Sequence, residues 1–311
     1  MDIPNNQIAF EKMFATEEQC IDYVIGVRWE NGFVCPSCGH GAFWKQSRRR
    51  ICCKQCRTKI SVLSGTLFEQ TNKSLSLWFR VIWSMIAAKN GMSALGLQRI
   101  MGFGGYQTAW SWLHKLRRLC ILPDRSKLTG KVEVDETFLG GKREGKRGRG
   151  AAGKILVAIA VEVVGQRTGR VRLGVIADAT KKSLQEFIEM NVEKGSEIVT
   201  DGWNAYKDIP GYTHTVSDKK QEVESETVLP NVHRVASLLK RWQLGTHQTY
   251  ITGPRAQNYL DEFTFRYNRR TAKSRGLLFG RIMKHAVHHA PILYQDISNE
   301  KPKGKQSAGK S

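Results

Sequence analysis

The stretch that decides the fold is VEVDETF at residues 132–138, followed by KILVAIAVEVV at 154–164 and GRVRLGVIAD at 169–178. Apolar and polar residues alternate in the first stretch, which predicts a strand, and the second is a nearly continuous β-branched run, which is typical of a buried strand. Beyond them, the pattern predicts a helix from Thr180 to Glu193, strands in 196–203 and 212–217, and helices beginning at Pro230 and Ala256. The chain therefore contains an α/β domain.

Two aspartates stand at notable positions of this domain. Three leading strands followed by helices and strands is the order of an RNase H-like domain, although many α/β folds begin similarly. Asp135 lies in the middle of the first strand, and Asp201 closes the strand SEIVT. In an RNase H-like sheet the first and fourth strands are neighbours, so we expect the two carboxylates to stand side by side and to bind Mg²⁺ or Mn²⁺. Such ions serve phosphodiester chemistry. Either aspartate alone could instead close a strand or cap a turn.

A third ligand is expected from the helix that begins near Pro230. That helix contains no acid between Asn231 and Trp242, but His233 and Lys240 are seven residues apart and so share one helix face. His233 in the first turn can point at the metals, and Lys240 can reach a DNA phosphate. The rival third ligands are Glu226, Asp261 and Glu262.

Four of the seven cysteines form two C-x2-C pairs, with 14 residues between the pairs. Thiolates at this spacing can close tetrahedrally on one Zn²⁺, as in a zinc ribbon, and the predicted ligands are Cys35, Cys38, Cys53 and Cys56. Such a closed site is structural and supplies folding energy to a module too small for a core of its own. Cys52 could compete with Cys53, but Cys53 keeps the two-residue spacing. The odd cysteine count argues for a reducing compartment.

The charge of the chain predicts a polyanionic partner. Its 311 residues include 49 Lys and Arg against 28 Asp and Glu, which gives a net charge of +21. Nucleic acid is the expected partner, and a generally basic surface is the alternative. No window resembles a membrane-spanning segment, and the first residues do not resemble a secretory signal.

Two segments are expected to contact DNA. Residues 75–120 predict a helix, a short helix, a glycine turn and a third helix, which is a helix-turn-helix layout. The third helix is expected to present Gln107, Thr108, Ser111, Lys115 and Arg118 to DNA, unless it packs at a domain interface. A glycine-rich run after the first strand is expected to form a loop that clamps DNA beside the metals, or else a solvated hairpin loop; its basic residues are Lys142, Arg143, Lys146, Arg147 and Arg149.

The predicted organisation has four parts: an N-terminal helix and zinc ribbon (1–66), a helix-turn-helix-like DNA-binding module (67–125), an RNase H-like domain (126–285) and a basic flexible tail (286–311). Within the second part, helices are expected from Leu75, from Ser93 to about Met101 and from Tyr106 to Leu119.

Taken together, these motifs resemble the ISXO-like insertion-sequence transposases, which have an N-terminal zinc ribbon and a DDE-type catalytic domain. The resemblance spans roughly residues 14–285, and it rests on RWENGFVCPSCG, CCKQCRTKISVLSGTLFE, VEVDETFLGGK, VTDGWNAY, VHRVASLLKRWQLGTH and YLDEFTFRYNRR. The family pattern is two aspartates, a variable third residue and a lysine, which fall here on Asp135, Asp201, His233 and Lys240.

The resemblance implies an RNase H-like fold, binding to the terminal inverted repeats of the element, and Mg²⁺-dependent cleavage and transfer of a DNA strand into target DNA. It also implies a homo-oligomer on DNA in the bacterial cytoplasm. Since an imidazole is a softer ligand than a carboxylate, His233 is left with three roles: metal ligand, water-positioning group, or general acid or base. The alternatives are a zinc-ribbon and helix-turn-helix regulator, or a nuclease that cuts without joining.

Overall fold

The computed structural model describes residues 3–47, 49–122, 125–140, 154–217, 229–248, 251 and 253–299. They form two units, one built from Met1–Cys120 and Thr271–Ser298 and the other from Ile121–Arg270. The strands are β1 (Phe43–Gln46), β2 (Arg50–Cys53), β3 (Lys59–Ser61), β4 (Lys131–Leu139), β5 (Ile155–Val164), β6 (Arg167–Ile176), β7 (Glu197–Thr200) and β8 (Thr213–Val216). The helices are α1 (Gln7–Met13), α2 (Glu17–Arg28), α3 (Leu75–Ala87), α4 (Ala94–Met101), α5 (Tyr106–Arg118), α6 (Lys181–Asn191), α7 (Pro230–His247), α8 (Ala256–Tyr267), α9 (Arg275–His288) and α10 (Tyr294–Ser298).

An aromatic cluster forms the centre of the first unit. The ring of Phe14 packs against Tyr23 and Phe79, with centroids 5.1 and 4.9 Å apart, and Phe279 of α9 lies 5.4 Å from Phe14. Because α9 supplies a core side chain, the C-terminal helices return to the N-terminal part of the chain. A Cβ at Gly276 would lie 2.2 Å from the side chain of Ile3, so only glycine permits this close approach.

This packing corrects the predicted boundaries. The RNase H-like unit ends at Arg270 rather than at 285, because α9 packs against α2 and α3. Segments 1–66 and 67–125, which were expected as separate domains, share one unit as far as Cys120. The predicted tail is helical from Tyr294 to Ser298, and 300–311 lie outside the described residues.

Helices α3, α4 and α5 have the predicted layout of helix, short helix, glycine turn and helix. The Ser93 hydroxyl caps α4 by accepting the Gly96 N–H at 3.0 Å. Gly102 ends α4 in the left-handed conformation, with φ +64°. Helix α2 begins with a capping box, in which the side chains of Thr16 and Gln19 each accept the other's backbone N–H.

The second unit is built on a five-stranded sheet of order β6-β5-β4-β7-β8. In the order of the strands of this unit it reads 3-2-1-4-5, which confirms the RNase H-like prediction that the first and fourth strands are neighbours. β4 and β7 run parallel, with Glu133 opposite Val199, and β4 and β5 run antiparallel.

The two faces of the sheet bury different helices. On one face α6 packs against Val132 and Val134, and on the other α7 packs against Ile159 and its neighbours on β5. Since side chains alternate along a strand, Glu133 and Asp135 point toward α7. The free edge of β6 is covered by α8, where the Asn268 side chain accepts the Val171 N–H at 2.8 Å.

Candidate active site and zinc site

Strand β4 carries Asp135 to the centre of the sheet, beside the end of β7. In the parallel register Glu133 lies opposite Val199; Asp135 is two residues further along β4, and Asp201 directly follows the end of β7. The negative charge of Asp201 is close enough to raise the pKa of Asp135. The structure thus brings Asp135 on β4 near Asp201, which directly follows the neighbouring strand β7.

Asp135 lies in a site that disfavours its charge. Its side chain is 19% exposed, and burial raises the pKa of the carboxyl from 3.8 to about 6, with further upward contributions from the charges of Glu136 and Asp201. The Glu136 backbone N–H donates to Asp135 Oδ1 at 2.8 Å and opposes this shift. A buried carboxylate with like charges beside it is stabilised by a bound cation.

Asp201 lies in a tight turn at the end of β7. Its Oδ1 accepts the Trp203 N–H at 3.1 Å, which is the turn-capping contact that the sequence left open for it. The turn needs the residue between them to be glycine. Gly202 has φ +82°, and a Cβ there would lie 2.8 Å from Val216 Cγ1.

Helix α7 places His233 opposite Asp135. Its Nε2 lies 3.5 Å from Asp135 Oδ2, and its side chain is 46% exposed. Ser237 and Lys240 follow at helical spacing, are exposed, and line the same cleft of about 480 Å³. The predicted shared face of His233 and Lys240 is therefore present, and it faces the first aspartate.

Glu133 holds the start of this helix, a role that the sequence reasoning missed. The carboxylate is 5% exposed and accepts the backbone N–H groups of Asn231 and Val232, both at 2.9 Å, and the Asn231 side-chain amide at 2.7 Å. The period of two along β4 was the available signal, because it places Glu133 on the face of Asp135.

Glu136 is a second carboxylate that the sequence reasoning did not select. It lines the cleft, and its Oε2 accepts the Tyr206 hydroxyl at 2.8 Å. Burial, followed by the charge of Glu136, raises the pKa of Tyr206 well above its ordinary value, so the phenol stays protonated and donates. Its position directly after Asp135 in the sequence was the signal.

The rival third ligands lie elsewhere or outside the described residues. Glu262 is fully buried and binds Arg266 Nε at 3.0 Å, and Asp261 accepts the Gln257 amide at 2.8 Å. Both belong to α8, which packs on β6, two strands away from β4. Glu226 lies outside the described residues.

The donor set of the cleft fits a divalent cation. Carboxylate oxygens are the ligands that Mg²⁺ and Mn²⁺ prefer, and the raised pKa of Asp135 is the strain that a cation would relieve. Across the described ranges, the four ribbon cysteines are the one set of three or more ligand atoms lying within 4.8 Å of one another. Asp135, Asp201 and His233 are therefore less closely gathered than the cysteines.

The zinc ribbon is the three-stranded antiparallel sheet β1-β2-β3 with its two cysteine turns. The Sγ atoms of Cys35 and Cys56, and those of Cys38 and Cys53, are 3.6 Å apart. Tetrahedral Zn–S bonds of about 2.3 Å require sulfur separations of nearly this length. Hydrogen bonds with the side chain and the backbone of Thr58 lower the pKa of Cys56 to about 6. The four cysteines thus fit structural Zn²⁺.

The remaining three cysteines lie outside the four-cysteine cluster. Cys52 is buried, and its Sγ lies 3.2 Å from the Arg57 carbonyl oxygen, outside the four-cysteine cluster. Cys20 and Cys120 are buried in the core of the first unit.

The predicted recognition face of α5 requires correction. Ser111 is buried, and so are His114 and Arg117 on the same helix. Helix α10 covers part of the rest: the Gln107 amide donates to the Tyr294 hydroxyl, and Arg118 donates to the Asp296 carbonyl at 2.7 Å.

Two further residues of the predicted DNA-contacting face of α5 are Lys115 and Thr108. Burial lowers the pKa of Lys115, which is only partly exposed, as is Thr108. Burial therefore removes Ser111 from the predicted DNA-reading face, whereas DNA contacts by Gln107, Thr108, Lys115 and Arg118 stay predictions. The basic loop residues Lys142, Arg143, Lys146, Arg147 and Arg149 lie outside the described residues.

A four-cysteine ribbon and an RNase H-like sheet, with one aspartate on its first strand and another directly after its fourth, define a zinc-ribbon protein of the DDE class. No helix among the described residues is long and apolar enough to cross a bilayer.

Comparison with known proteins gives the family. Residues 127–268 match the ISXO2-like transposase domain, and residues 15–59 match the transposase zinc-ribbon domain. The chain is also similar to a protein in the transposable element ISH50 of Halobacterium salinarum, at 24% identity over 277 residues, covering 82% of this chain and 92% of that protein. These two domain matches confirm the resemblance to the ISXO-like insertion-sequence transposases, and they imply DNA binding.

Proposed function

We propose that the protein is a transposase that cuts DNA at the ends of an insertion sequence and joins the freed strand to target DNA. The observation that carries this proposal is the placement of Asp135 on β4 near Asp201, which directly follows the neighbouring parallel strand β7, with His233 across a cleft from Asp135. A buried carboxylate with a pKa raised to about 6 has no stabilising purpose in a protein that only holds DNA.

Asp135 and Asp201 are the residues that would hold Mg²⁺ or Mn²⁺. When bound, such ions activate an attacking oxygen and stabilise the leaving oxygen in phosphodiester chemistry. Nearby, Glu136 accepts the Tyr206 hydroxyl, and its charge contributes to the raised pKa of Asp135.

The exposed face of α7 would bind the DNA strand. Lys240 contributes a positive charge and Ser237 a hydroxyl donor along the wall of the cleft. His233 completes the site as a metal ligand, a water-positioning group or a general acid or base. Its partial exposure and its position 3.5 Å from Asp135 serve each of these roles.

The ribbon and the helical module would hold the terminal inverted repeats, while the second unit acts on the scissile phosphate. Exposed basic residues on the ribbon include Arg50, Lys54, Arg57 and Lys59. Two ends must be cut and joined together, so a homo-oligomer assembled on DNA is part of the proposal. The reaction belongs in the cytoplasm, where the element's DNA lies.

The test uses the full zinc-loaded chain and linear DNA that carries the element end from its own gene locus, with Mg²⁺ or Mn²⁺. The parent chain should nick the end and join it to a target duplex. Asp135→Asn should bind the end DNA but neither nick nor join it, and Asp208→Asn is the matched control, since Asp208 is exposed and has a left-handed backbone (φ +54°) that Asn also tolerates.

Three results would contradict parts of this proposal. Strand transfer by Asp135→Asn would end the assignment of that residue. Nicking without joining would identify a nuclease, and binding without nicking by the parent would identify a regulator. For His233, substitution by Ala should lower activity more than substitution by Glu, and unchanged rates in both would make it a bystander.

A further inference from the structure

The start of α7 depends on a carboxylate from the sheet. A helix leaves its first N–H groups without partners inside the helix. Here Pro230 occupies the first turn, and Leu229, at the N-cap position, offers no side-chain cap. The N–H groups of Asn231 and Val232 are instead accepted by Glu133 on β4, at 2.9 Å each.

This contact is buried, and two hydrogen bonds of the Asn231 side chain strengthen it. Glu133 is 5% exposed and Asn231 is 7% exposed. The Asn231 amide donates to Glu133 Oε1 at 2.7 Å, and its carbonyl oxygen accepts the Thr168 hydroxyl at 2.6 Å. The first turn of α7 is therefore tied to two strands, β4 and β6, and a carboxylate at a helix N-terminus also opposes the helix dipole favourably.

The same strand carries both carboxylates of this arrangement. Glu133 and Asp135 are two residues apart on one face of β4. The α7 residues that they contact, Val232 and His233, are adjacent in the sequence. The contact of Glu133 with the Val232 N–H thus sets the height at which His233 meets Asp135, where Nε2 and Oδ2 are 3.5 Å apart.

We propose that Glu133 is a positioning residue for the active site, which seats the first turn of α7 so that His233 stays within reach of Asp135. The effect on rate rests on the proposed strand-cleavage function, whereas the seating of the helix does not. Glu133 itself does not touch the reacting atoms in this account, because it is occupied by the helix start.

The experiment compares Glu133→Ala and Glu133→Gln with Glu162→Ala in the full zinc-loaded chain. Glu162 is the matched control: it is a glutamate on the neighbouring strand β5, is 9% exposed, and accepts Arg170 Nη2 and Nε at 2.7 and 2.9 Å. It lies opposite Val132, three positions from the Ile159 that faces Asp135. All variants are assayed well below their melting temperatures.

The first readout distinguishes an effect on the rate of DNA cleavage from an effect on DNA binding. With protein in excess over end DNA and Mn²⁺ present, Glu133→Ala should cut about 100-fold more slowly than the parent, since a displacement of about 1 Å can cost that much. The Kd for DNA, which depends on many phosphate contacts, should change less than about threefold. Glu133→Gln keeps an acceptor oxygen and should recover about 10-fold of the loss. Glu162→Ala should cut at the parent rate.

The second readout needs no activity. The ¹⁵N chemical shift of His233 Nε2 at fixed pH should change when Asp135→Asn is introduced into the parent, and should change by less than half as much in the Glu133→Ala background. An equal change in both backgrounds would overturn the proposal, as would a Glu133→Ala rate equal to that of Glu162→Ala. If the parent chain cuts no DNA, the proposed function fails while the chemical shifts still decide the seating of α7.

Discussion

Replacing Asp135 by Asn should stabilise the protein at neutral pH when divalent cations are absent. The side chain is mostly buried, and burial raises the pKa of its carboxyl from 3.8 to about 6. Asn keeps an oxygen that can accept the Glu136 N–H, but it carries no charge to bury.

The sign and size follow from proton linkage. Below pH 3.8 the carboxyl is protonated in both folded and unfolded chains, so it does not change the unfolding free energy with pH. Between 3.8 and about 6 the unfolded chain releases the proton first, so the parent loses stability as the pH rises. Above a pH of about 6 the parent loses no further stability. The difference between pKa 3.8 and about 6, at about 1.4 kcal/mol for each pH unit, corresponds to about 3 kcal/mol of unfolding free energy.

The assay is urea unfolding of the protein without Mg²⁺ or Mn²⁺. Unfolding of the second unit is followed by the methyl resonances of Val157 and Val161, which are fully buried there. Between pH 4 and pH 8, the parent should lose about 3 kcal/mol of unfolding free energy relative to Asp135→Asn. Mn²⁺ should narrow this difference at pH 8, because the cation binds the carboxylate and not the amide. A difference that is independent of pH, or a less stable Asn variant at pH 8, would refute the reasoning.

Three further outcomes are expected. Cys53→Ser, or removal of zinc by a chelator, should abolish amide-exchange protection in the ribbon around Ile51 while leaving that of Val157 intact, because the ribbon depends on the metal; loss of both would contradict a separate role for the site. Glu162→Gln should lower stability by roughly 1–3 kcal/mol above pH 4.5 and by progressively less toward pH 2, because hydrogen bonding to Arg170 lowers the pKa of Glu162 from 4.5 to about 2 and the partly exposed Arg170 is screened by water; an equal loss at all pH values would argue against the ion pair. Gly202→Ala should cost more unfolding free energy than Gly195→Ala, by roughly 1 kcal/mol or more, because both have positive φ but only the former would bring a Cβ to 2.8 Å from Val216; equal costs would exclude that contact.

The regular elements around the site were predictable because their signals are local. The alternation in VEVDETF and the β-branched run after it describe strands whose two faces are buried differently, and the structure has both strands. The paired C-x2-C spacing likewise predicts the four-cysteine cluster, because each pair occupies a single tight turn. Capping by Thr16 and Ser93 was visible for the same reason.

The exposed or buried character of α5 was not predictable from its own pattern. Its basic amphipathic sequence is that of a surface helix, yet Arg117 is 1% exposed and α10 covers other polar side chains. Arg117 donates to the Met92 carbonyl oxygen, and the residue that accepts from Arg118, Asp296, lies nearly 180 positions later. A periodicity within one helix carries no information about a segment so distant.

By itself, the sequence determined the zinc ligands, the α/β order and the two aspartates, since each depends on spacing along a few residues or on the type of neighbouring strand. Only the tertiary structure decided that Glu133 holds α7 and that the C-terminal helices return to the first unit. The physical reason is that burial and hydrogen bonding satisfy groups through space. A carboxylate on β4 caps a helix nearly 100 residues away because the sheet brings them together, whatever their separation along the chain.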